Sequence, residues 1–336
     1  MNPTKILLDH GSGGRASHQL INELILTTFN NPILATLDDG AVFQLNEQRF
    51  AFSTDSYTVD PLFFPGGNIG ELAINGTVND LAMCGAKPLY LSVGFIIEEG
   101  FPIDDFQKIL SSMQKAAAQA GIMIITGDTK VVPRGTADKI FINTTGIGII
   151  PNHITISGTN ARPGDKIIIS GTIADHGITI LTRREGLQFE SPLQSDTAPL
   201  NSLVALMLAT TPQIHTLRDP TRGGVATTLN EIAGQSKMGM KLYENALPIR
   251  DEVRGACELL GLDPLYLANE GKLIACVAPE AAEALLKAMQ QHPYAHETCI
   301  IGEVTADHRG TVIMETGIGG TRIVDMLSGE PLPRIC

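Results

Sequence analysis

The chain has 336 residues, 43% of them hydrophobic and 18% charged, with a formal net charge of −12. This balance supports packed cores and excludes a disordered chain, and the acidity excludes non-specific binding to nucleic acid or acidic membrane, so a polyanion such as ATP must arrive with metal cations. No apolar run reaches the ~18 residues of a membrane span and no signal-peptide core opens the chain, which predicts a soluble cytoplasmic protein of two ordinary domains.

A glycine-rich opening, His10-Gly11-Ser12-Gly13-Gly14-Arg15, precedes a helix whose apolar stripe is Leu20, Ile21, Leu24 and Ile25. Strands are expected at 49–55 and 90–97, with a helix over 69–83 between them. The clearest helix runs over 103–120, with Phe106, Ile109, Leu110 and Met113 on one face, Asp104 and Asp105 in its first turn and Gly121 as its C-terminal cap. Residues 122–126 read as a buried strand and 139–150 as another. A Gly, Pro, Thr and Asn-rich stretch from Pro151 to Gly164 marks a domain boundary. Beyond it, strands are expected at 166–170, 272–277, 298–304 and 311–315. Helices are expected at 173–183, 199–209, 225–233, 251–260 and 280–291. Both halves alternate strands and helices, so the expected class is a two-domain α/β (α+β) chain: residues 1–150, residues 151–327, and a tail over 328–336.

The five cysteines, Cys84, Cys257, Cys276, Cys299 and Cys336, are odd in number and include no CxxC pair, which argues against a disulfide framework or structural zinc. Cys84 and Cys276 lie in apolar runs and read as core. Cys336 is different, because it ends the chain after Pro331-Leu332-Pro333-Arg334-Ile335. Alternate prolines forbid a helix there, so the tail is expected to be an extended, flexible arm of roughly 3 Å per residue that carries a thiol. A frayed end with an incidental cysteine is the plain alternative.

The first half repeatedly sets a carboxylate beside an element end, in Asp38-Asp39-Gly40, Ser53-Thr54-Asp55-Ser56, Asn79-Asp80-Leu81 and Gly127-Asp128-Thr129-Lys130. One such motif is ordinary turn chemistry. Four of them embedded in apolar elements point to a metal–nucleotide site, because aspartates cannot share a site without a cation and their hard oxygens suit Mg²⁺. The glycine-rich opening can drape N–H groups over phosphate, although it fits neither the P-loop nor the dinucleotide fingerprint. Arg15 and Lys130 are the nearest cations. In the second half, Asp219 of Arg218-Asp219-Pro220-Thr221-Arg222-Gly223-Gly224 can cap the following helix or ligate metal, and Glu270 of Asn269-Glu270-Gly271-Lys272 can be a general base or a solvated turn residue. His292 and His296 are separated by Pro293 and read as a loop rather than a metal pair.

Together these motifs resemble the superfamily of ATP-dependent enzymes that includes aminoimidazole ribonucleotide synthetase, selenophosphate synthetase and thiamine-monophosphate kinase. Within it they are similar to the carbamoyl dehydratase (HypE) family of hydrogenase maturation. The likeness spans essentially the whole chain, most specifically Asp60-Pro61-Leu62-Phe63-Phe64-Pro65-Gly66-Gly67-Asn68-Ile69-Gly70, Asp219–Gly224, Asn269–Lys272 and the terminal Pro333-Arg334-Ile335-Cys336. The reactive Cys of selenophosphate synthetases is missing from the glycine-rich loop. The resemblance implies a homodimer with ATP near the interface of two N-terminal domains. It implies nucleotide contacts from Gly11, Gly13, Gly14, Arg15, Asp39, Asp55, Asp80, Asp128 and Lys130, with Mg²⁺ on Asp39, Asp55, Asp80, Asp128 and Asp219. It further implies that a carbamoyltransferase, HypF, loads a carbamoyl group onto Cys336. ATP-dependent dehydration, with Lys130 and Glu270 as catalytic groups, then gives a thiocyanate, whose cyanide passes to iron on a HypC–HypD complex. A small-molecule kinase and a non-enzymatic thiol carrier are the competing readings.

Overall fold

The computed structural model describes residues 5–186, 193–329, 332 and 334–336. The first half contributes Ala41–Leu45 (β1), Gln48–Tyr57 (β2), Phe63–Phe64 (β3), Gly67–Asn68 (β4), Lys87–Glu98 (β5), Met123–Val132 (β6) and Ile140–Ile150 (β7). Its helices are Arg15–Leu20 (α1), Leu26–Thr28 (α2), Ile69–Met83 (α3) and Ile103–Ala120 (α4), with a π-helical turn over Ile21–Ile25 joining the first two. A five-stranded sheet runs in the order β1-β2-β7-β5-β6, antiparallel except for the parallel β5–β6 edge pair. The second half contributes Lys166–Ile169 (β8), Ile214–Arg218 (β9), Gly239–Tyr243 (β10), Ile274–Val277 (β11), Cys299–Thr305 (β12), Val312–Glu315 (β13) and Thr321–Ile323 (β14). Its helices are Asp175–Arg184 (α5), Asn201–Thr210 (α6), Gly224–Ser236 (α7), Asp251–Leu260 (α8) and Pro279–Met289 (α9). The second sheet has the order β14-β13-β10-β12-β8-β11-β9. The expected two-part α/β (α+β) architecture is therefore the one observed. No helix among the described residues is long and apolar enough to cross a membrane.

Local rules set the best-read elements. Helix α4 spans the expected residues and ends on Gly121 at φ +69°, a left-handed conformation that costs glycine nothing. Helix α3 is held at its start by Asn68, whose side-chain oxygen accepts from Gly70 N (2.9 Å) and Glu71 N (3.3 Å). Almost every residue of α3 is buried, because the helix is enclosed between the first sheet, α4 and α6.

Three expectations are corrected. Residues 122–126 read as a buried strand, yet β6 is a sheet edge with Met123, Ile124 and Ile125 exposed. The stripe of the first helix is only partly turned inward, since Leu24 and Ile25 are exposed. The thiol of Cys336 is not on an open arm, because the residue is only 7% exposed. Leu332, Ile335 and Cys336 belong to a hydrophobic cluster with Tyr57, Val59 and Leu72 of the first half and Ile178 of the second. Glu330, Pro331 and Pro333, two of them the basis of the stiff-arm expectation, lie outside the described residues. Cys84 and Cys276 are core, as read from their apolar neighbours.

Two of the three hydrophobic clusters draw on both halves, so the sheets are joined by shared core. A Cβ at Gly76, in the middle of α3, would lie 2.2 Å from the hydroxyl of buried Tyr57. Gly76→Ala is therefore expected to cost about 1–3 kcal/mol by overpacking. Urea denaturation measures this, and an unchanged midpoint would show that Tyr57 is not fixed there.

Candidate active site

The seam between the sheets collects carboxylates from four elements. Asp39 lies just before β1, Asp55 on β2, Asp80 near the end of α3 and Asp219 immediately after β9. Glu270 enters from the turn before β11 and is buried. Strand alternation explains part of this placement. Ser53, Asp55 and Tyr57 share one face of β2, so Ser53 Oγ donates to Asp80 Oδ2 (2.7 Å) beside Asp55. The helix carrying Asp80 is fixed across the seam by its neighbour Asn79. The Asn79 amide donates to Ala198 O (3.1 Å) and Glu270 O (3.4 Å), and its oxygen accepts from Leu200 N (2.8 Å). Asn269 holds the same turn from the other side, donating to Pro220 O and accepting from Ala174 N (both within 2.8 Å).

These carboxylates are an uncomfortable group. Burial, together with the charges of Asp219, Asp55 and Asp39, pushes Asp80 well above the usual carboxylate range. Burial and Asp219 do the same to Glu270, and Asp39 and Asp55 are raised chiefly by burial. Asp219 is pushed up to about 6, mainly by burial. All five therefore gain affinity for positive charge. Asp39 Oδ2 and Glu270 Oε1 are buried with no hydrogen-bond partner among the described residues.

Two arginines supply part of the missing charge. Arg218 pairs with Asp39 through Nε (2.9 Å), donates to Leu37 O (3.0 Å) and reaches Glu231 with its other nitrogen. Arg222 donates to Gly11 O (3.4 Å), and the charge of Cys336, ahead of Asp55 and Glu270, raises its pKa. Among the described residues no three His, Cys, Asp or Glu side chains converge into a ready metal cage.

The tail packs against the body of the same chain. Thr58 donates to Cys336 O through its amide (2.8 Å) and its hydroxyl (3.2 Å), and Asp60 N donates to Arg334 O (3.3 Å). Arg334 Nε donates back to Thr58 O (2.7 Å). Arg184 reaches both Asp60 O and Arg334 O, and Arg334 pairs with Asp138. The last residues thus run antiparallel to the segment that continues β2, and the charge of Cys336 reaches Arg222, on which Asp55 and Glu270 also act.

The seam brings together Asp39, Asp55, Asp80, Asp219, Glu270 and Cys336. Asp128 and Lys130 are elsewhere in the subunit, on exposed edge strand β6, paired with each other at 2.8 Å and each 68% exposed. Arg15 pairs with Asp325 (2.6 Å) on the surface. The capping reading of Asp219 fails, because the N-cap of α7 is Gly223 at φ +79°. In the glycine-rich opening, a Cβ on Gly14 would lie 2.4 Å from Leu327 O, and Gly13, at φ +77°, packs on Arg222. Two of these glycines thus serve close packing on the second half. His292 and His296 sit in a turn, bonded to Ser202 and Gln290 O, as expected of a loop. Sequence reading gave no role to Arg218 or Arg222; the signal was two cations inside an aspartate-bearing motif in an acidic chain.

Residues 37–150 match the family model of the AIR synthase related protein, N-terminal domain, and residues 162–315 match that of its C-terminal domain. A carbamoyl dehydratase HypE from Azotobacter vinelandii is 57% identical over 327 residues, covering 97% of this chain and 96% of that protein. A crystal structure of the hydrogenase maturation protein HypE in complex with ATP has a TM-score of 0.84 and 55% identity, covering 99% of this chain and 100% of that one. A chain of a HypE–HypF complex has a TM-score of 0.88 and 49% identity, covering 92% and 99% respectively.

Removing Arg218 would leave Asp39 and Glu231 buried without their cation. Arg218→Met is expected to destabilise the chain by about 3–5 kcal/mol. Chemical denaturation reads this out, and a loss under about 1 kcal/mol would mean that the pair is solvated.

Proposed function

Since the chain belongs to the carbamoyl dehydratase HypE family, we propose that the seam carries out the ATP-dependent dehydration of a carbamoyl group held on Cys336, giving a thiocyanate during hydrogenase maturation. The supporting observation is the burial of Cys336, whose charge acts on Arg222, the same guanidinium that interacts with Asp55 and Glu270 of the carboxylate seam.

The atoms balance as follows. The oxygen of –S–CO–NH₂ attacks the γ-phosphorus of ATP, and ADP leaves. The amide nitrogen gives up one proton, leaving an O-phosphorylated imidate. A second proton leaves the nitrogen as the C–O bond breaks, and phosphate departs from –S–C≡N. Oxygen is a poor leaving group on its own and a good one as phosphate. In this reading Glu270 takes a proton from the amide nitrogen, a role supported by its burial and by an Oε1 that has no hydrogen-bond partner among the described residues. Arg222 faces the charge that develops between the thiol-bound group and the phosphoryl group. Asp39, Asp55, Asp80 and Asp219 are the residues that would hold Mg²⁺, and the lone oxygen of Asp39 fits a hard cation. When bound, Mg²⁺ neutralises charge on the phosphoryl group in transfer.

The remaining assignments are part of the same proposal. Gly11, Gly13, Gly14 and Arg15 flank the nucleotide. A cavity of about 190 Å³ lined by Leu34, Asp39, Phe52 and Thr54 opens beside Asp39. The working division is residues 1–150 for ATP binding and dimerisation, 151–327 for the second domain and 328–336 for the substrate-bearing tail. A homodimer formed through edge strand β6 buries Met123, Ile124, Ile125 and Val131 and carries Asp128 and Lys130 towards a nucleotide at the interface. HypF loads Cys336, which requires the thiol to leave its buried bed. A HypC–HypD complex in the cytoplasm receives the cyanide.

Intact mass of the chain incubated with carbamoyl phosphate, the HypF carbamoyltransferase and ATP tests the chemistry. The expected course is the gain of one carbamoyl group and then the loss of one water. Cys336→Ala is expected to show neither change while keeping its fold and ATP binding, and a normal course in that variant would sink the assignment. Asp80→Asn is expected to lose Mg²⁺-dependent ATP binding; equal binding by calorimetry would refute its role.

A further inference from the structure

The residue before the reactive cysteine is gripped by a side chain that the chemistry leaves unused. His176, in the first turn of α5, is completely buried, and its Nε2 lies 2.8 Å from the carbonyl oxygen of Ile335. A carbonyl only accepts, so Nε2 carries the proton and donates. The other ring nitrogen, Nδ1, lies 2.8 Å from Ser195 Oγ and accepts from that hydroxyl. Ser195 is itself anchored, since its N–H donates to Pro65 O (2.9 Å) and its Oγ accepts from Thr197 N (3.2 Å). Phe64 packs edge-on against the imidazole, with ring centroids 5.5 Å apart at 87°. Burial also lowers the pKa of the ring, which keeps it neutral and preserves this tautomer.

The consequence is a fixed depth for the thiol. Thr58 holds the oxygen of Cys336, and His176 holds the oxygen one residue earlier. The two holds come from opposite sides of the seam, Thr58 from the first half and His176 from the second. A residue held at the carbonyl before its Cα and at the terminal carboxylate after it has little freedom left in the position of its side chain. Removing one hold leaves the tail attached through Thr58 and Arg184 but free to shift at Ile335.

We propose that His176, oriented by Ser195, is a positioning residue that seats Cys336 in the site by donating to the Ile335 carbonyl. The step it serves rests on the reading of Cys336 as the carrier of the carbamoyl group; the seating itself does not.

Two readouts separate these. The first is alkylation of Cys336 by iodoacetamide in the full chain, followed by peptide mass spectrometry. His176→Ala is expected to be alkylated at Cys336 about tenfold faster than the native chain, the worth of one buried hydrogen bond. His176→Gln, whose amide can donate in the same direction, is expected to return to within about threefold. Ser195→Ala keeps the imidazole and removes its orienting donor, so it is expected to give a smaller increase, and it stands in should His176→Ala fail to fold. Equal alkylation of the native chain and Ser195→Ala, with His176→Gln no slower than His176→Ala, would overturn the proposal. The second readout is water loss from chain already carbamoylated at Cys336, at saturating ATP. His176→Ala is expected to be slower by roughly 10- to 100-fold with an unchanged KM for ATP, and His176→Gln partly restored. A raised KM with unchanged kcat would also overturn it. If the native chain never gains a carbamoyl group, the reading of Cys336 falls, and the alkylation series alone decides the seating.

Discussion

The governing constraint is the burial of Asp39, Asp55, Asp80, Asp219 and Glu270 along one seam, where desolvation is the largest cost and like charge adds to it at Asp39, Asp80, Asp219 and Glu270. Each would rather be protonated or paired, and the chain supplies two guanidinium groups for five acids. Arg218 is committed to Asp39 and Glu231 and is structural. Arg222 is the more available of the two, facing Cys336, Asp55 and Glu270 together. The uncompensated remainder leaves the seam with a raised affinity for positive charge in a chain whose net charge is −12.

The same seam carries mechanical load. Two hydrophobic clusters cross it, and Asn79 and Asn269 bind the Glu270 turn to both halves. Adjacent residues on α3 divide the work: Asn79 grips the backbone of Glu270 while Asp80 faces the carboxylates. The spacing between Asp80 and Glu270 is thus fixed by one helix end rather than by a flexible loop, which is what preorganised charge requires.

Much of this was legible from local rules, and the failures have a common cause. Helix α4 announces itself through its amphipathic face, its acidic first turn and Gly121, all properties of neighbouring residues. The aspartate motifs were also readable, because each pairs a carboxylate with an apolar element that must be buried. Burial itself was not readable where it depended on distant partners. The run 122–126 is as apolar as a core strand, but its place at the sheet edge leaves Met123, Ile124 and Ile125 exposed. The tail reads as a solvent-exposed arm because no nearby residue holds it. Its partners, Thr58, Asp60, Arg184 and His176, lie 150 residues or more away in sequence. Arg222 went unassigned for the same reason, since its role depends on Cys336 and Asp55, which only the fold brings near.

The buried tail also bears on the order of events. A Cys336 that is buried, with its terminal oxygen held by Thr58 and the preceding Arg334 carbonyl by Arg184, is closed to a macromolecular partner, so loading by a carbamoyltransferase requires a different tail position. The docked position is built largely from backbone hydrogen bonds and a few apolar side chains: Leu332, Ile335 and Cys336 itself. Main-chain pairing of this kind is indifferent to what the sulfur carries. One short run of main-chain hydrogen bonds thus sets the position of Cys336 through backbone atoms rather than through its side chain.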